Sequence, residues 1–312
     1  MSDAPPSRVG RRSIENAPVR VVSARASLST RLTNLWSRRE LLTSLISSDI
    51  RIKYKGSFLG IFWSMLSPAL TLAIYYLVFS IFLKNGIPNF IVYLFAGLLV
   101  WNMFQGAVNS ATGVIVDRAG LVKKVSFPRE ILALANVGAA VIYFAIQLAV
   151  LAIFLLVVGH QPDWGLLWIL PISFVTLYLF TASVAIVMSA VTVYLRDTRH
   201  LMEVVLQLWF WMTPVIYSYE NSIAAPLRRH GLTFIYFLNP ITLIVLTFQR
   251  VIYVATTVKS TAVKGAVLQL LPSWSMSTYF FLNLTMLGIM IFLFLIAVTI
   301  FGRLEGNFES EL

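Results

Sequence analysis

The chain has 312 residues, 58% of them apolar or aromatic and only 12% charged, whereas soluble domains average nearer 45–50% apolar and about 25% charged. A soluble globular class is therefore excluded. The formal charge of +11 would suit a nucleic-acid binder, but the cations cluster between long apolar runs, as in the inner loops of a membrane protein, and no nucleic-acid partner is expected.

There is no cysteine, which removes disulfides, thiol nucleophiles and thiolate metal sites from consideration. His160, His200 and His230 lie far apart and leave little for a zinc or haem centre. No metal or cofactor is expected on this chain.

In chain order, residues 1–36 are rich in Arg and Ser, carry Pro5, Pro6 and Pro18, and read as a disordered basic cytoplasmic arm. Arg11 and Arg12 do not open a twin-arginine signal, because Ser13, Ile14, Glu15 and Asn16 follow where an apolar core should begin. An organellar transit peptide has similar composition and stays open beside a tail held near anionic lipid. From 37 to 55, Leu41, Leu42, Leu45, Ile46, Ile50 and Ile52 interleave with Arg38, Arg39, Glu40, Asp49, Arg51 and Lys53, which predicts an amphipathic helix in the membrane surface.

Uncharged runs at 56–83, 85–116, 131–159, 164–195, 204–219 and 265–302 predict six transmembrane helices, since roughly 20 residues cross the hydrocarbon. The fifth run is short, and spans if Arg199, His200 and Glu203 snorkel at its mouth. Gly56, Gly60 and the Ser67, Pro68 pair mark expected bends in the first. A further uncharged stretch, 231–249, is broken at its centre by Asn239 and Pro240, and a re-entrant extracytoplasmic hairpin over 220–264 fits it better than a span. On this topology 18 of the 24 Lys and Arg face inward, so both termini, including the 304–312 tail, are cytoplasmic. A seventh span, with the acidic tail outside, is the alternative.

The expected class is thus an all-α integral membrane protein with a six-span domain over 56–303. Within these spans no Asp, Glu, Lys or Arg lies away from a membrane edge, which disfavours an ion-coupled carrier. Asp163, Glu203 and Glu220, the acids near the edges, form no pair suited to a glycosyltransferase or hydrolase. No phosphate-cradling Gly-rich loop occurs either, so the energy source is expected on a partner.

The spans carry aromatic and neutral polar groups instead. Tyr75, Tyr76, Phe79 and Phe82 recur at helical spacing, and Trp209, Phe210, Trp211 and Tyr217 flank Thr213 and Pro214. These are either an interfacial belt with ordinary packing or the rings of a pore along which sugars slide. Asn102, Gln105 and Asn109 share a helix face, for interhelical hydrogen bonds or for substrate, and Gln147 and Gln207 are equally ambiguous. The segment 117–130 is amphipathic and charged, either a plain inner loop or a short helix that docks in a cytoplasmic partner.

From about Arg39 onward the chain resembles the membrane subunits of ABC transporters that export cell-surface polysaccharides such as O-antigen, teichoic acid or galactan. The resemblance is carried by the run from Asp49 to Gly60 with Trp63 and Pro68, then Lys123 to Ile131, Tyr194 to Arg199, Trp211 to Tyr217, and Leu238 to Pro240. It implies a homodimer in a bacterial plasma (inner) membrane, joined to two copies of a cytoplasmic ATP-binding subunit that holds the ATP and magnesium. Its cargo would be a polyprenyl-pyrophosphate-linked glycan.

By the same resemblance, Tyr75, Tyr76, Phe79, Trp209, Phe210 and Tyr217 line a channel between subunits. Arg38, Arg39, Asp117, Arg118, Leu121, Lys123 and Lys124 meet the ATPases, and Asn239 and Pro240 sit in an outer gate. Arg51, Lys53 and Lys55 stand where the pyrophosphate approaches, with ordinary anionic lipid as the competing reading. A drug or lipid exporter of the same architecture is the alternative function, and a membrane glycosyltransferase the third.

Overall fold

A computed structural model describes residues 28–58, 60–125 and 127–312, so the expected basic arm lies outside the described residues up to position 27. Residues 28–36 depart from that expectation. They belong to α1 (Leu28–Ser37), which leads through Arg38 into α2 (Arg39–Tyr54). The cause is Arg31, whose guanidinium reaches Glu130 at 2.6 Å and Glu305 at 2.9 Å and pins α1 to the bundle. The amphipathic α2 packs on α7 (Glu130–Val158), where Ile46 occupies the space a side chain at Gly138 would need.

After α2 the chain turns at Gly56 and Gly60, both at positive φ (76° and 53°), a region where a Cβ clashes with its own backbone. The expected bends are thus at these glycines. Pro68 is carried inside α3 (Trp63–Tyr76), which widens into a π-helical turn at Leu77–Phe82.

Among the described residues five helices are long and apolar enough to cross a membrane: Met65–Phe82, Phe90–Thr112, Glu130–Val158, Leu167–Tyr194 and Met276–Asn307. They match five of the six expected runs. The remaining run holds α9 (Thr198–Met212), which at 15 residues measures about 22 Å and is not among the five; a sixth span there needs its flanking residues to complete the roughly 30 Å hydrocarbon. The helix stops at Thr213 because Pro214 has no N–H to continue the ladder. The last run also starts later than expected, at Met276. Before it lies a small antiparallel ribbon of β1 (Thr257–Lys259) and β2 (Val267–Gln269), so the class is helical with one short hairpin of strands.

At the centre stands α4 (Phe90–Thr112), buried along most of its length and packed against α7, α8 (Leu170–Tyr194), α9 and α12 (Pro240–Ile252). Between α4 and α7 run the short α5 (Val114–Asp117) and α6 (Ala119–Lys124). The stretch expected to break at Asn239 and Pro240 does so, between α11 (Thr233–Phe237) and α12. Asn239 caps α12 through an Ile241 N–H bond of 3.1 Å, with Pro240 at the first helical position. At 13 residues α12 is about 20 Å long, too short to span, and is enclosed by α4, α8 and α13 (Met276–Leu304).

One end of the bundle, the basic end, gathers α1, α2, α5, α6 and the C-terminal end of α13. Opposite it, Tyr253 donates to the Pro88 carbonyl at 2.7 Å and Arg250 pairs with Asp163 at 3.1 Å.

Candidate functional site

Of the six rings expected along a channel, Tyr75, Phe79 and Phe210 come together. Tyr75 stacks on Phe210 across α3 and α9 with centroids 5.8 Å apart, and meets Phe79, one turn on, edge-on at 6.4 Å. Trp209 turns away, against Phe104 at 5.2 Å and Phe180 at 5.8 Å, because successive helical residues point about 100° apart. Tyr76 is half-buried against the core. Tyr217 lies beyond the end of α9, donating to the Trp211 carbonyl at 3.0 Å, and shares a small cavity of about 100 Å³ with Phe79.

The three cations grouped by sequence separate. Lys53 sits 4.7 Å above the Tyr143 ring, whereas Arg51 and Lys55 border an open groove with Glu40, Ser44 and Ser48. Helix phase explains this: two residues along α2 turn the side chain by about 200°, four bring it nearly back. Lys53 instead lines a cleft of about 580 Å³, walled by α2, α3, α4 and α7. Asn102, Gln105 and Asn109 share this wall as their spacing predicts, and α7 adds Asn136 and Gln147. Asn102 donates to Gln147 at 3.3 Å, and the Trp101 indole donates to Gln105 at 2.9 Å.

At the basic end, adjacent residues grip different helices. Asp117 takes Arg199 of α9 on both carboxylate oxygens, at 2.7 and 2.8 Å, while Arg118 pairs with Asp49 of α2. The Arg199 guanidinium lies where a Cβ of Gly113 would be, so a side chain there would displace it from Asp117. Leu121, Lys123 and Lys124 of α6, and Arg38 and Arg39, are exposed around this point, and Val122 anchors α6 in the core.

Sequence reasoning missed the clamp on Arg31. Burial works against its cation, yet Glu305 and Glu130 outweigh that and hold its pKa above the ordinary guanidinium value. The signal was present in Leu28, Leu32 and Leu35, which recur at helical spacing around Arg31, but the Arg and Ser content of the arm outweighed it.

At the far end Asn239 also donates to the Thr213 hydroxyl at 3.0 Å, and Gln249 donates to the Pro214 and Val215 carbonyls at 3.2 and 3.3 Å. Tyr93 donates to the Tyr217 carbonyl at 2.9 Å. The backbone freed where α9 breaks is thus satisfied by side chains of α4 and α12, as a low-dielectric interior demands. Among the described residues no group of three His, Cys, Asp or Glu converges on a metal-sized site.

Residues 40–253, from α2 to the end of α12, match the family described as ABC-2 type transporter. The chain is 31% identical over 219 residues to the O-antigen export system permease protein RfbA of Myxococcus xanthus, covering 70% of this chain and 82% of the relative. It is also 31% identical over 185 residues to a permease of the same name from Klebsiella pneumoniae, covering 59% of this chain and 71% of that one. With that match over most of its length and five membrane-crossing helices, the chain is a multi-pass membrane permease that belongs to the ABC-2 type transporter family.

Proposed function

We infer that this permease exports a lipid-linked cell-surface polysaccharide across a bacterial inner membrane, as a homodimer driven by two separate ATPase subunits. The observation that carries the reading is the 219-residue likeness to a permease named for O-antigen export. The partly exposed Tyr75 and Phe79, backed by the buried Phe210, support it, because open ring faces hold sugars through C–H contacts without a deep trap. O-antigen, teichoic acid and galactan are all compatible cargoes.

In this mechanism α9 acts as a fifth, short span beside α3, six spans cross in all, and both termini are cytoplasmic. ATP and magnesium act on the partner. Closure of the ATPase pair pushes α6 through Leu121, Lys123 and Lys124, with Arg38 and Arg39 as a second contact. The Asp117 to Arg199 pair hands that displacement to α9, and the Arg118 to Asp49 pair hands it to α2. Channel walls from α3 and α9 of two subunits part, the segment around Asn239 and Pro240 opens outward, and Lys53, turned away from Arg51 and Lys55 on α2, receives the pyrophosphate.

The test is deletion of the gene in its host. The expected result is loss of surface glycan with lipid-linked glycan accumulating in the inner leaflet, restored by the intact gene but not beside an ATPase unable to hydrolyse ATP. Normal surface glycan in the deletion strain rejects the reading. A drug or lipid exporter is the second reading, favoured by an apolar groove of about 700 Å³ between α9 and α11 that includes Leu208, Met212, Leu232 and Ile235. Stimulation of the ATPase by small amphiphiles and not by glycan lipid selects it, and sugar transfer by the purified chain alone selects a glycosyltransferase.

A further inference from the structure

The cleft between α2, α3, α4 and α7 has a composition unlike its surroundings. Two of its walls, α4 and α7, are strongly apolar helices, yet five of their carboxamides reach it: Asn102, Gln105, Asn109, Asn136 and Gln147. Carboxamides along a membrane helix are costly unless they meet each other, water or a polar ligand. Here they meet each other only in part. Asn102 and Gln147 share one bond of 3.3 Å, Gln105 spends its oxygen on the Trp101 indole, Asn136 spends its amide on the Leu132 carbonyl, and Asn109 is exposed. What remains is a mixture of free N–H donors and C=O acceptors.

That mixture selects a ligand class. A phosphate offers only acceptors and would leave the amide oxygens unmatched, whereas each sugar hydroxyl both donates and accepts. Tyr143 and the half-exposed Trp63 add ring faces, suited to sugar C–H groups. A single cation, Lys53, lines the cleft over Tyr143, and the carboxylate of Asp49 beside it is already paired with Arg118. The volume, about 580 Å³, is in the range of small-molecule sites. The floor is open: a Cβ on the exposed Gly106 meets nothing within 4 Å.

The geometry points to a binding site for the sugar nearest the lipid anchor of the glycan, seated among these amides, with the attached diphosphate left at Lys53. This deepens the export reading and rests on it.

The absence of native cysteine makes the test direct. The permease with Gly106→Cys, assembled with its ATPase in nanodiscs, is treated with a membrane-impermeant maleimide, with Ile153→Cys on the outer face of α7 as the lipid-covered control. The probes are polyprenyl diphosphate bearing one N-acetylglucosamine and the same lipid without sugar. Cys at 106 is expected to label while the control does not, and sugar-bearing probe at about nine-tenths occupancy is expected to slow labelling roughly tenfold, with little effect of the bare lipid at the same concentration.

Equal slowing by both lipids makes the cleft a diphosphate site and overturns the proposal. So does slowing by neither, or a cysteine that does not label. Gly106→Leu, which enters open space and does not weaken the helix, is expected to lower glycan export at unchanged protein abundance. Unchanged export overturns the proposal as well. Protection at position 106 in a strain whose surface glycan is independent of the permease would sink the export reading and leave the site standing. Normal export without protection does the reverse.

Discussion

Arg31 shows how much one side chain decides at the basic end. Its partner Glu130 is 1% exposed, so removing the guanidinium strands a buried carboxylate. Arg31→Met is expected to destabilise the permease by about 3 kcal/mol, read as a lower unfolding midpoint in detergent, and Arg31→Met with Glu130→Gln to recover most of it. Tyr75 is a second case, because its ring is the bridge between α3 and α9. Tyr75→Phe is expected to leave export near normal, since stacking needs only the ring, while Tyr75→Ala lowers it at equal protein abundance. At this scale the sequence was only partly legible. The amide face of Asn102, Gln105 and Asn109 followed from helical spacing, and the divergence of Lys53 from Arg51 and Lys55 follows from the same spacing. Grouping those three cations by charge overrode a phase that was there to be read. That Gln147 faces Asn102 is a tertiary fact with no local signature.

Among the elements, the long helices were legible because lipid tolerates no unpaired charge, and uncharged runs mark them directly. The end of α9 was also written in Thr213 and Pro214, but the aromatic run around them reads as continuous until Gln249 and Tyr93 are seen taking up the freed carbonyls. The ribbon of β1 and β2 was not legible: two three-residue strands in a polar loop carry too little alternation. Asn239→Ala removes the cap of α12 together with the bond to Thr213, and is expected to cost about 1–2 kcal/mol, measured by thermal unfolding. At the basic end the electrostatic link to α9 is testable by exchange. Asp117→Arg or Arg199→Asp alone is expected to leave ATP hydrolysis running while glycan export falls, and the double exchange to restore export; if hydrolysis and export fall together, the pair only supports folding.

For the molecule as a whole, the unevenness of burial is the informative property. The core gathers on α4 and α12, while α3 leaves Leu70, Ile74, Leu77 and Ile81 exposed along one stripe. In a homodimer this stripe is where a second copy would pack, so Ile74→Cys in the cysteine-free chain is expected to give an oxidant-dependent dimer band, and Ile153→Cys on α7 none. Two arginines from distant parts of the chain, Arg199 and Arg31, each fill the side-chain space of a glycine, Gly113 and Gly302, near the same end of the bundle. A methyl group at either glycine would have to push its guanidinium aside, which is easy for the half-exposed Arg199 and harder for Arg31, held by Glu130 and Glu305. The tighter couple, Gly302 with Arg31, should therefore be inherited together: across diverging lineages, a change at one member is expected to travel with a change at the other, and swapping whole segments between distant relatives should fail wherever the exchange splits it.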